Sequence, residues 1–162
     1  MESDEVDELV QAWRRERTDL DLAPVEVFSR ITRLARLLDR ARRDAFIAQA
    51  IEPWEFDVLA ALRRAGKPYR LSPGQLLRET MVTSGTMTNR IDRLGERGLV
   101  ERSPDPHDRR GVLVGLTASG KRAVDGAFES LLDSERDLLA ELSAGERGDL
   151  AGLLKRLMKP LR

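Results

Sequence analysis

A mainly α-helical fold with one small β-hairpin is what this sequence predicts. Three observations carry that prediction. Apolar residues recur at helical spacing through most of the 162 residues. Serine- and proline-led starts and glycine stops divide the chain into helix-sized segments. Only between Leu99 and Leu116 does the pattern turn to alternation, on either side of a charged turn.

Taken in order, Ser3–Arg17 places Val6, Leu9, Val10 and Trp13 on one helical stripe. So short a helix is marginal in isolation, so the stripe is expected to dock on something. Thr18–Ala23 reads as a turn, and Pro24 suits the first position of a new helix. That helix carries Val27, Ile31, Leu34, Leu38 and Ala41 and runs to about Gln49. Pro53 opens the next, with Trp54, Val58, Ala61 and Leu62 on one face and an end near Gly66. Ser72-Pro-Gly-Gln75 is a capping box with proline at the first helical position, starting a short helix to about Thr80. A polar helix follows from about Ser84 to Arg97, with Ile91 and Leu94 facing inward, and Gly98 ends it. Leu99–Arg102 and Gly111–Leu116 alternate as strands, with Pro104–Arg110 as the tip between them. Thr117 and Ser119 then start a long helix whose stripe includes Ala123, Phe128, Leu131, Leu132, Leu138, Leu139 and Leu142. Ser143-x-x-Glu146 is a second capping box, opening a last helix with Leu150, Leu153, Leu154, Leu157 and Met158 at helical spacing.

Composition narrows the function classes. The chain has no cysteine, which excludes a disulfide scaffold, a thiol redox sensor and a cysteine zinc site. Its one histidine, His107, lies in the charged turn, so no metal site is expected. The sequence lacks a long apolar run and a basic-then-apolar start, so no membrane is expected among its partners and the expected compartment is the cytoplasm. No Gly-rich phosphate loop or activated nucleophile pattern speaks for an enzyme. Net charge is zero overall, yet Arg63–Arg122 holds 13 Lys/Arg against 6 Asp/Glu, net +7, leaving −7 elsewhere. Such segregation is the electrostatic footprint of a nucleic-acid binder, although solvated helix faces can produce it too.

Basic charge and motif coincide. A helix that enters the major groove needs small polar residues near its start, and Ser84, Thr86, Thr88 and Asn89 supply them. Arg93, one turn on, can reach a phosphate or a guanine edge. Asp108, Arg109 and Arg110 form a turn whose arginines can enter the minor groove, with Asp108 expected to hold one of them by a bidentate ion pair. A recognition helix followed by a hairpin wing is a winged helix-turn-helix. The expected organisation is residues 1–50 as an extra helix plus a first dimerisation helix, 51–117 as the DNA-binding unit, and 118–162 as C-terminal dimerisation helices. Leucine-rich helices at both ends suggest a two-fold homodimer matched to a palindromic operator, or else a cap on the monomer core.

The run TMTNRIDRLGERGLVERSPDPHDRRGVLVGLTASGK resembles the MarR family of winged-helix transcriptional regulators. Arg90, Arg93, Leu94, Gly98, Leu99 and Val100 fit that family's first block. Arg102, Asp108 and Arg110 fit the second, and Leu116, Thr117 and Gly120 the third. The resemblance implies a homodimeric regulator of double-stranded DNA, commonly a repressor released by a small effector, with no cofactor. One branch, the urate-responsive PecS-like regulators, is more similar still. Its extra helix with a tryptophan and its ligand-response positions fall on Trp13, Asp57, Arg90 and Arg102.

Such a set is chemically coherent. Trp13 offers a flat face to a planar heterocycle, and Arg90 and Arg102 can pair with an anion. Asp57 lies at the border of an apolar stripe, where an arginine partner is expected. Each residue also has a plainer role: Trp13 as a staple, Asp57 and Arg90 as a structural ion pair, Arg102 in the wing's packing. The expectation is therefore a repressor released by urate or a related purine. The alternatives are a regulator answering a carboxylate or phenolic ligand and a ligand-blind architectural DNA binder.

Overall fold

The computed structural model describes residues 3–159, apart from the side chain of Arg109. Two compact units divide between Ala41 and Arg42. The helix α2 (Ala23–Ile47) crosses that division.

In the first unit, α1 (Glu5–Glu16) begins at Asp4, whose carboxylate accepts the N–H groups of Val6 and Asp7. The Asp7 carboxylate accepts the N–H of Asp4 in return, completing a capping box. Val6 and Val10 are buried with Leu22, and Val25 of α2 packs on them. Arg30 of α2 bonds Asp4 and Asp7 at 2.7–2.9 Å, and Arg33 reaches Glu5 at 3.2 Å. The expected docking stripe is thus half used: Val6 and Val10 are buried, while Leu9 and Trp13 are 36% and 48% exposed.

The second unit continues from the end of α2 through α3 (Pro53–Arg64), β1 (Arg70–Leu71), α4 (Pro73–Thr80) and α5 (Ser84–Glu96). It ends with β2 (Val100–Asp105), β3 (Asp108–Leu116), α6 (Ala118–Leu138) and α7 (Ala144–Leu157). Its core joins Phe46 of α2, Val58, Leu59 and Leu62 of α3 and Leu76 of α4. Met87, Ile91 and Leu94 of α5, Val114 of β3 and Val124 of α6 belong to it as well. Both serine capping boxes form as expected, Ser72 with Gln75 and Ser143 with Glu146.

The sheet corrects the hairpin reading. Three antiparallel strands lie in the order β1-β3-β2, with Arg70 opposite Gly115 and Arg102 opposite Val114. Arg70–Leu71, unmarked by any alternation, becomes a strand only because the inner edge of β3 pairs with it. Strands β2 and β3 also run further out than Arg102 and Gly111, to a pair between Asp105 and Asp108. The tip is therefore Pro106-His107, where the Asp105 carboxylate accepts the N–H of His107. An irregularity after Pro104 takes up the register shift. At the other end, α6 stops at Leu138, so Leu139 and Leu142 lie beyond it.

Two glycines are required by geometry. Gly98 takes φ +67, the left-handed turn that stops the recognition helix and releases β2. A Cβ at Gly120 would lie 2.0 Å from the carbonyl oxygen of Leu99, so only glycine lets the first turn of α6 pass the base of the wing. Thr117 fixes the same junction: its hydroxyl donates to the Gly98 carbonyl at 2.7 Å and accepts the N–H of Gly120 at 3.0 Å.

Candidate nucleic-acid interface

Helices α4 and α5 form a helix-turn-helix through the turn Met81–Thr83, in which Met81 adopts φ 53. Met87, Ile91 and Leu94 bury one face of α5. That burial leaves Ser84, Thr86, Thr88, Asn89 and Arg93 on the exposed side. No side chain caps the first turn of α5, because the Thr83 hydroxyl pairs with that of Thr86 at 2.9 Å. Thr88 bonds back to the Ser84 carbonyl at 3.2 Å. The helix thus presents short polar side chains and uncapped backbone N–H groups together, a surface suited to phosphate and base edges.

In the wing, Arg110 is exposed, and Arg109's side chain lies outside the described residues. Asp108 does not play the expected role toward Arg110. Its carboxylate accepts the main-chain N–H of Arg110 at 2.9 Å. In so tight a turn the nearest donor to an Asp side chain is the backbone two residues on, so Asp108 shapes the tip. The wing's base is tied to the recognition helix by Arg102 of β2, which pairs with Asp92 of α5 at 2.6 Å.

The first turn of α3 grips α5 as well, through residues that sequence reasoning left among the core or unassigned. Trp54 lies beneath both Arg90 and Arg93, whose guanidinium carbons are 5.4 and 5.1 Å from the ring centroid. The indole N–H donates to Glu52 at 2.6 Å. Glu55, 2% exposed, is the only buried charged residue among those described. It accepts the N–H of Glu52 at 2.9 Å and pairs with Arg97 at the end of α5. Arg97 also donates to the Ala50 carbonyl at 2.6 Å. Arg90, Arg93 and Arg97 are spaced three and four apart, so one stripe of α5 faces one turn of α3. A tryptophan and a glutamate in a helix's first turn are the only local hint. Their partners lie more than thirty residues on.

The comparisons with known proteins agree with this geometry. A family model described as the MarR family matches residues 51–111. The HTH-type transcriptional regulator PecS of Dickeya dadantii is 40% identical over 157 residues, covering 97% of this chain and 95% of that protein. The chain belongs to the MarR family. It is a DNA-binding transcriptional regulator, in a family of regulators rather than enzymes. A cysteine-to-serine variant of MarR from Escherichia coli, solved with operator DNA, is similar at 29% identity and a TM-score of 0.68, covering 96% of this chain and 99% of that one. BpsR of Bordetella bronchiseptica, whose DNA binding is regulated by 6-hydroxynicotinic acid, is similar at 26% identity and a TM-score of 0.67, covering 82% of this chain and 93% of that one.

The four positions of the ligand set fall in different surroundings. Trp13 lies on α1 of the first unit, half exposed. In the second, Asp57 takes its arginine from α2: Arg42 bonds it at 2.5 Å and lies 5.7 Å from the ring centroids of Phe46 and Phe56. Arg90 is occupied by Trp54, one turn before Asp57 on the same helix, so it is not the carboxylate's partner here. Arg102 is held by Asp92. Among the described residues no helix is long and apolar enough to cross a membrane.

Proposed function

We propose that this MarR-family regulator is a repressor that binds a palindromic operator as a homodimer and is released by a small anionic ligand, urate or a related purine. The observation that carries this reading is the attachment of α5. Arg90 belongs to the recognition helix, Arg102 bonds it through Asp92, and Asp57 follows Trp54 on the helix that holds Arg90. An anion recruiting either arginine would compete with contacts that orient α5, which is the differential interaction that release requires. Asp57 would repel such an anion and shift its own pairing with Arg42. BpsR, regulated by a planar heteroaromatic acid, supports the same ligand class.

Dimerisation is supported by apolar surface. Helix α7 buries none of its residues, and Leu150, Leu153, Leu154, Leu157 and Met158 are 37–58% exposed. Val27, Phe28, Leu34 and Leu37 of α2 are comparably open. Residues 1–50 and 118–162 are accordingly assigned to the dimer, and 51–117 to DNA. Ser84, Thr86, Thr88, Asn89 and Arg93 would face the major groove, and Asp108, Arg109 and Arg110 would form the wing's minor-groove contact.

Fluorescence anisotropy on DNA from the gene's own upstream region, titrated with urate, tests the reading. Urate should release wild type, while Trp13→Phe and Asp57→Asn should bind the same DNA yet resist release. A wild type indifferent to urate but released by a tricarboxylate or phenol moves the effector to that class. Indifference to all three contradicts ligand control.

A further inference from the structure

We propose that Trp54 is a positioning residue for DNA recognition, holding Arg90 and Arg93 of the recognition helix in readiness for the phosphate backbone; this rests on α5 being the DNA-reading helix. Arginine is flexible, and ordering its side chain on binding costs conformational entropy. A tryptophan face lowers that cost by holding the guanidinium plane before DNA arrives. Here one indole serves both arginines, at 5.4 and 5.1 Å, and is itself held by its N–H bond to Glu52. Glu52 in turn donates its backbone N–H to Glu55, the buried partner of Arg97. The ring therefore stands on a braced turn.

An open groove of about 480 Å³ lies beside the ring, lined by Trp54, Gly85, Thr86, Asn89, Arg90 and Arg93. It combines the two held guanidinium groups with polar residues of the exposed start of α5. Neither arginine has a carboxylate partner among the described ion pairs. The aromatic face leaves their N–H groups able to donate outward. A held pair of arginines, neither in an ion pair among the described residues, fits a DNA phosphate at the edge of a recognition helix.

A double-mutant cycle on operator affinity tests this, with Trp54→Leu and Arg93→Ala alone and together. Trp54→Leu should weaken operator binding about fivefold. The combined loss should fall well short of the product of the two single losses, because the leucine variant has already lost part of what Arg93 contributes. Trp54→Phe, which keeps an aromatic face, should fall between wild type and Trp54→Leu, and it serves for the cycle if the leucine variant does not fold. Affinity unchanged in Trp54→Leu and Trp54→Phe, or losses that multiply, would overturn the proposal. Asn89→Ala separates the two levels: if it leaves operator affinity unchanged, the reading of α5 fails; if it weakens binding while the Trp54 variants do not, only the role of Trp54 fails.

Discussion

Replacing Arg97 by alanine should destabilise the protein by about 2 kcal/mol. The Glu55 side chain is 3% exposed and Arg97's is 40% exposed. Removing one partner of a buried pair costs about 3–5 kcal/mol, because a charge is left without compensation. Two features reduce that figure here. The open side of Arg97 lets water reach the Glu55 oxygen once the guanidinium is gone. The N–H of Glu52 also continues to donate to the carboxylate. For a chain of this size about 2 kcal/mol corresponds to a fall in Tm of about 4–8 °C. Urea denaturation followed by helical circular dichroism measures it. Glu55→Gln combined with Arg97→Met should recover about half the loss, since the amide keeps the bond from Glu52 without a buried charge. An Arg97→Ala protein within about 0.5 kcal/mol of wild type would remove Glu55 as an anchor of the recognition helix.

Arg110→Ala should weaken operator binding about tenfold and lower the slope of log K against log salt by about one, read by anisotropy from low to moderate salt; an unchanged slope contradicts the wing's contact. Gly120→Ala should cost about 3 kcal/mol in chemical denaturation, since its Cβ would meet the Leu99 carbonyl at 2.0 Å; wild-type stability would mean that α6 can shift away from the wing. The Arg30 guanidinium, above all, holds Asp4 below its ordinary 3.8, and the N–H of Asp4, then Arg30, does the same for Asp7. Their contribution is therefore complete above that value and lost as pH falls below it, so protease protection of α1 should decline below about pH 4. In Arg30→Ala that decline should be shallower, because the two carboxylates then titrate nearer their unfolded value; an unaltered pH profile would remove Arg30 as its cause.

What was legible in the sequence was local. Ser72 with Gln75 and Ser143 with Glu146 announce their helices because a cap involves residues three apart. Gly98 and the alternation from Gly111 to Leu116 are read the same way. Gly120 could be recognised as part of a motif, but its reason, the Leu99 carbonyl, is a tertiary contact. Strand β1 is two residues long and exists through β3, so no periodicity could reveal it. Partners across the fold were equally hidden. The border position of Asp57 calls for an arginine, yet nothing local says that Arg42 supplies it or that Arg90 rests on Trp54. Asp108 is expected to pair with an arginine of the wing, but toward Arg110 it bonds the backbone N–H, as the short tip favours; Arg109's side chain lies outside the described residues.

One titration bears on both the proposed DNA-bound dimer and its loosening by a small anion. Labelled upstream DNA carrying a palindromic site is saturated with protein, the stoichiometry is read, and urate is added. Two chains per site are expected, with a progressive loss of bound DNA as urate is added, abolished in Asp57→Asn while that variant's affinity for DNA stays near wild type. One chain per site, or urate release of Asp57→Asn equal to that of wild type, would contradict the proposal.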